Sequence, residues 1–236
     1  MAMKRELVEA IGTAFVVLAT AGAQLASAPG PTAAAATVVP AALAAGLGLA
    51  ATLSVFRRGQ AGFHPVLTLA SWAAGRSSWP RAASAIGAQL AGAFVAIALV
   101  LFVLKSKREG YDVQALGLGA AGIGDRSPGH FDWLGVGVAE LSVGFVLGLF
   151  AVAVTPIEGR AEPGGERASW ALGAAVVVAN LLLLPIAGGA FHPAQNLASA
   201  AFSGSRAISD LWLFLAMPGL GAVLAGVSSR WLLRAV

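Results

Sequence analysis

The sequence predicts an all-α membrane protein: six transmembrane helices plus two re-entrant half-helices, arranged as two inverted three-span repeats. Three observations predict it. The chain is 58% hydrophobic and 11% charged, whereas soluble domains carry roughly a quarter charged residues. Apolar runs recur at about 17 to 25 residues, the length that crosses a ~30 Å hydrocarbon core. A nine-residue phrase also occurs twice, as FHPVLTLAS at 63–71 and FHPAQNLAS at 191–199, identical at six of nine positions and 128 residues apart. A β-barrel does not fit, because its strands alternate polar and apolar residues over about ten positions. These runs are apolar on all sides.

Taken in order, the spans fall at roughly 6–27, 34–56, 82–104, 134–155, 168–187 and 210–233. The first could pass as a secretory signal: Lys4 and Arg5, an apolar run, then Ala26, Ser27 and Ala28 as a cleavage site. Glu9 in the opening of that run argues against this, as does a matching segment in the second half. Two apolar pieces remain, 65–75 and 193–202, each too short to cross alone. Each begins with proline, which suits the first position of a helix because its missing N–H would have no partner there. Each is therefore expected to be a half-helix starting at His-Pro.

Three full spans per half is an odd number, so the second half enters the membrane from the opposite side. Repeat 1 covers about 1–104, repeat 2 about 134–236, and 105–133 connects them within one transmembrane domain. The half-helices then dip in from opposite faces and meet near the midplane. Short, proline-interrupted apolar segments at matching positions of two halves point to a transport site. Glu9 in VEAIGT and Glu140 in AELSVG also match, 131 residues apart and early in the first span of each repeat. A carboxylate at that depth is expensive and needs a partner.

With the N-terminus inside, Lys4, Arg5, Arg57, Arg58, Arg76, Arg81, Arg160, Arg167, Arg230 and Arg234 are cytoplasmic, 10 of 15 basic residues. That bias favours both termini in the cytoplasm of a plasma or inner membrane. Trp79, Trp133, Trp170, Trp212 and Trp231 fall at span ends, as interfacial anchors do. The pI of 10.3 comes from basic residues scattered over loops and termini, not from a nucleic-acid-binding cluster. The partners expected are the lipid bilayer and small solutes. Cysteine is absent, so there is no thiol chemistry.

Two half-helices opening with Pro-Ala-like triplets, in two inverted repeats, resemble the aquaporin or major intrinsic protein family. EAIGT at 9–13, GAQLAGA at 87–93, AELSVGF at 139–145 and LWLFLAMPGLGAVLAG at 211–226 resemble its first, third, fourth and sixth spans. The resemblance covers the whole chain and implies a homotetramer of channels. The family's paired triplet is Asn-Pro-Ala. Here it reads His64-Pro65-Val66 and His192-Pro193-Ala194. The family usually places Arg after its second triplet, at the outer constriction, and here that residue is Gln195. Matching the other constriction positions gives Ala45, Asn180 and Gly189, where water-selective members carry an aromatic and a His at the first two.

Two helix N-termini facing one point create a positive field without any charged side chain. His64 and His192 beside them are expected to be neutral at pH 7. They have several readings: bulky caps, pore-lining donors, a pH-sensitive gate or relay, or a metal site, for which two His alone are a thin ligand set. Ala45, Asn180, Gly189 and Gln195 suggest a wide, uncharged outer filter, unless Phe191 or Leu49 refills the gap. The resemblance implies that Glu9 and Glu140 accept hydrogen bonds that brace the half-helix loops. Gly144 and Gly148 are expected to permit close helix packing, and 105–133 reads as an exposed linker. No cofactor is expected, and no motif of a hydrolase or metalloenzyme occurs. The expected function is passive passage of water and small uncharged solutes. The alternatives are an ion- or proton-permeable pore and a non-conducting packing protein.

Overall fold

Each half-helix begins because its first residue is a proline, locked near helical φ, and the residue before it offers a side-chain acceptor. The computed structural model of the chain describes residues 2–27, 34–56, 62–154 and 165–232. Six long helices run α1 (Ala2–Ser27), α2 (Ala34–Val55), α4 (Trp79–Lys105), α6 (Trp133–Val154), α7 (Gly165–Ala187) and α9 (Ser205–Leu232). Each is long and apolar enough to cross a membrane. The half-helices are α3 (Pro65–Ala73) and α8 (Pro193–Ser203), and α5 (Val113–Leu116) is a single turn in the connecting loop. No strand occurs among the described residues. Arg57, Arg58, Arg160 and Arg234, used above for orientation, and Ala28 of the cleavage-like triplet lie outside the described residues.

The largest boundary difference is at the last span, expected from 210 but beginning at Ser205. The half-helix α8 stops at Gly204, whose φ of 95° only glycine adopts readily, and its N–H closes on Ala200 O. The chain turns straight into α9, whose first turns hold Arg206, Ser209 and Asp210. That polarity hides the helix start from an apolar-run reading. The five span-end tryptophans stand outward, each more than half exposed.

Glycine sets how closely the helices cross, as bilayer-embedded interfaces require. A side chain on Gly92 of α4 would strike the backbone of Ala10 in α1, and one on Gly221 of α9 would strike the backbone of Leu141 in α6. These contacts sit one residue after Glu9 and Glu140, so they mark the same crossing in the two repeats. Gly144 lies against the Pro218 backbone and Gly148 against Ala222 and Ala225, as expected of that pair. Between the repeats, Gly46 of α2 and Gly173 of α7 press on each other's backbone.

These crossings place the two glutamates alike, yet the glutamates act differently. Glu9 is 1% exposed. Its carboxyl accepts the N–H of Gly62 at 3.0 Å, the N–H of Phe63 at 3.0 Å and the Gln89 amide at 3.0 Å. Gln89 also donates to Thr68 Oγ1 at 2.9 Å, so α1, α4 and α3 share one polar junction. Glu140 is also 1% exposed, but its Oε1 has no hydrogen-bond partner among the described residues. The expectation that Glu140 braces the second half-helix is therefore corrected. The residue three before Gly92 is Gln89, a donor; the residue three before Gly221 is Pro218, which has none. The Phe191 N–H goes to Asn180 Oδ1 instead, at 2.9 Å.

Replacing Glu9 by Leu leaves the buried Phe63 N–H and the part-buried Gly62 N–H without their acceptor and leaves Gln89 only Thr68, and each unsatisfied buried donor costs about 1–3 kcal/mol. Glu140→Leu removes a buried carboxyl whose Oε1 has nothing to accept, and such a change is near neutral or stabilising. Thermal unfolding in detergent should show a large loss for Glu9→Leu and little or none for Glu140→Leu. Equal losses would contradict the asymmetry.

Candidate functional site: the paired half-helix starts

His64 and His192 are the N-caps of α3 and α8, both in extended backbone. His64 Nδ1 accepts the Val66 N–H and His192 Nδ1 accepts the Gln195 N–H, each at 3.3 Å. The other ring nitrogen of each crosses to the opposite repeat. His64 Nε2 lies 2.8 Å from Phe191 O, and His192 Nε2 lies 3.1 Å from Phe63 O. A backbone N–H can only donate and a carbonyl can only accept, so each ring must carry its proton on Nε2 and leave Nδ1 bare. Both imidazoles are then neutral, with both nitrogens engaged. The rings sit 4.3 Å apart, centre to centre, at 54°.

Each histidine therefore caps its own half-helix and bonds the residue that precedes its twin. The arrangement brings His64, Pro65, Val66, His192, Pro193 and Ala194 together in one fully buried layer. His64 is 0% and His192 5% exposed. With both nitrogens used inside the protein, neither ring has a donor left for a passing molecule. Of the four readings, this geometry matches the cap and adds a cross-link to it. No group of three metal-ligating side chains occurs among the described residues.

Phe63 carries strain for this closure. Its φ is 50°, in the left-handed region that non-glycine residues rarely enter. Three contacts hold it: its N–H on Glu9, its carbonyl on His192, and its ring packed where a side chain on Gly12 would be. Backbone strain of this kind persists where surroundings over-determine it, typically at functional sites.

The outer positions are placed less simply. Asn180 spends its whole amide on backbone, donating to Val176 O at 2.9 Å and accepting from Phe191. Ala45 packs in the core with Leu49 and Phe191, the two side chains expected as refilling candidates. The space beside Gly189 is not empty: a side chain there would strike the backbone of Ala121. Gln195 is 0% exposed, and both its amide atoms lack a hydrogen-bond partner. Of the four, it alone offers uncommitted polar atoms.

Ala121 belongs to the 105–133 segment, which is exposed at 105–110 and 128–133, as expected of a linker, but buried in part between them. Leu118, Ala121 and Ser127 are buried. Gly122 N–H donates to Ala187 O at 2.8 Å and Ser127 Oγ to Ile186 O at 2.6 Å. Gln24 reaches Gly188 O at 2.7 Å. Asn196, which the sequence reading passed over, ties the segment to α8: its Oδ1 accepts the Ala121 N–H at 3.2 Å and its Nδ2 donates to Ala190 O at 3.1 Å. The repeated phrase held the signal, because Asn196 occupies the place of Thr68, another polar brace.

The sequence profile of the family described as "Major intrinsic protein" matches residues 1–228. The chain is 34% identical to Aquaporin Z of Photorhabdus laumondii over 70% of this chain and 69% of that one. It is 33% identical to Aquaporin Z of Rhodopseudomonas palustris over 98% and 93%, respectively. Among solved structures, the aquaglyceroporin from Plasmodium falciparum superposes with a TM-score of 0.78 over 99% of this chain and 97% of that one, a likeness of fold alone at 16% identity. Six apolar membrane-length helices, paired half-helices meeting at their starts, and a family match along nearly the whole sequence make this chain an integral membrane protein of the major intrinsic protein family.

Proposed function

We propose that the protein is a passive channel for water and small uncharged solutes, working as a homotetramer with both termini in the cytoplasm. Family membership makes it a channel protein rather than an enzyme. The relatives named Aquaporin Z support water as the first substrate to test. The observation that carries the reading is the meeting of the α3 and α8 N-termini, cross-capped by His64 and His192. Each helix start carries about half a positive charge. Two starts aimed at one point oppose cations and hydronium while leaving neutral molecules free to pass. No acidic side chain reaches His64 or His192 by a hydrogen bond among the described residues.

The outer filter is uncharged, and its opening is narrowed by backbone. Gln195 supplies a neutral amide in place of the family's Arg, but Ala121 fills the space that Gly189 leaves. One observation favours a second reading, a closed or non-conducting protein: His64, Phe191 and Gln195 are almost wholly buried. Stopped-flow shrinkage of liposomes under water, urea and glycerol gradients, with a proton-flux dye, separates these readings. Water flux well above protein-free liposomes with no proton leak supports the channel. Flux no higher than the lipid background supports the closed protein, and a proton leak supports the permeable alternative.

Gln195→Arg should slow urea and glycerol more than water, because a longer, charged side chain occupies the one filter position with free polar atoms. An equal effect on all three would remove Gln195 from the filter.

Acid should change the flux through the histidine cross-link. A proton added at Nδ1 sets an N–H donor against the helix N–H it now accepts, so the cap opens. Solute flux in wild type should therefore change as the pH is lowered from about 7.5, once the acid is strong enough to protonate Nδ1 against that N–H. In His64→Asn/His192→Asn the caps remain as amide oxygens and that response should disappear. Identical profiles in the two proteins would show that the histidines do not respond.

A further inference from the structure

We propose that Arg126 and Asp210 form a clamp that sets the size of the opening at the second half-helix, a role outside the four filter positions. The proposal rests on the channel reading above.

The clamp joins three parts of the molecule through one guanidinium. Arg126 Nη1 donates to Asp210 Oδ2 at 2.8 Å and to Arg206 O at 2.9 Å, both in the first turns of α9. Arg126 Nη2 donates to Ala121 O at 3.1 Å and, more weakly, to Ala120 O at 3.4 Å. Asp210 Oδ2 also accepts the Ile123 N–H at 3.3 Å. The segment 120–123 is thus gripped from both members of the pair. The group that does this must be a planar fork with several donors, which arginine has and lysine lacks. Gly122 gives it room: a side chain there would collide with Arg126.

What the clamp holds is the backbone that replaces a side chain at the filter. Ala121 presses on Gly189 and donates its N–H to Asn196, on the turn of α8 that also carries Gln195. The segment has other anchors: Ser127 on Ile186 O, Gly122 N–H on Ala187 O, and Tyr111 on Gly117 O within the segment itself. Loss of the clamp should therefore loosen the stretch around Ala121, left to the Asn196 and Ala187 bonds, without unfolding the loop. Asp210 compensates the charge of Arg126, so the pair acts through position and not by restoring the positive charge that Gln195 lacks.

The chain has no cysteine, so a single introduced thiol reports cleanly. In an Ala121→Cys background, labelling by a water-soluble maleimide should be slow. Adding Arg126→Ala or Asp210→Ala should speed it roughly tenfold, the order expected for loss of one charge-assisted hydrogen bond. Arg126→Lys should give a smaller increase. In the cysteine-free protein, the ratio of glycerol to water permeability should rise with Arg126→Ala and rise less with Arg126→Lys. A merely structural role would lower both permeabilities together. Unchanged labelling overturns the clamp. Faster labelling with an unchanged permeability ratio overturns its role in the opening. A parent that conducts neither water nor glycerol overturns the channel reading instead, and the labelling rates still decide whether Arg126 and Asp210 hold the segment.

Discussion

A helix that starts in the middle of a hydrocarbon layer exposes backbone N–H groups where no lipid can accept them. Everything at the centre of this protein follows from that constraint. Pro65 and Pro193 remove one donor each. His64 and His192 accept another through Nδ1 and a further one through their backbone carbonyls, from Thr68 and Asn196. The residue before each cap must also be satisfied. Its carbonyl takes the Nε2–H of the histidine in the opposite repeat, and its N–H takes Glu9 in one half and Asn180 in the other.

The crossing bonds make the two repeats one unit. Neither half-helix loop is complete without the other, because each supplies a carbonyl that the other's histidine consumes. The two loops are nevertheless supported differently. The first is braced from within the helix bundle, by Glu9, Gln89 and Thr68. The second is braced by Asn180 and by Asn196, which reaches out to the connecting segment. The second half-helix is thus the one tied to the connecting segment, through Asn196 and through Ala121, which lies against Gly189.

The architecture was legible in the sequence because bilayer physics acts on long stretches. Apolar length marked the six spans, proline after histidine marked the half-helix starts, and Gly144 with Gly148 marked a close crossing. The roles of single polar residues were harder to read. Glu140 repeats Glu9 in sequence, but its partner position holds Pro218 instead of a donor, and that difference lies 78 residues further along the chain. Asn180 stands at a filter position by spacing, and its amide also braces the backbone at Val176 and Phe191. The 105–133 segment looked like a linker because its glycines and charges match a solvent-exposed loop. The burial of its middle part depends on contacts with α7, α8 and α9 that no local pattern encodes. Gly189 looked like empty space for the same reason: what fills it is backbone from elsewhere.

The central claim is that both histidines are neutral cross-links with the proton on Nε2 and an acceptor at Nδ1. Solid-state nitrogen NMR of imidazole-labelled protein in lipid at neutral pH tests it directly. The chain has three histidines, and spectra of the His64→Asn and His192→Asn variants separate these two from His130. The account predicts a bare Nδ1 and a protonated, hydrogen-bonded Nε2 for both His64 and His192. A proton on Nδ1 of either ring, or a doubly protonated ring, would contradict it.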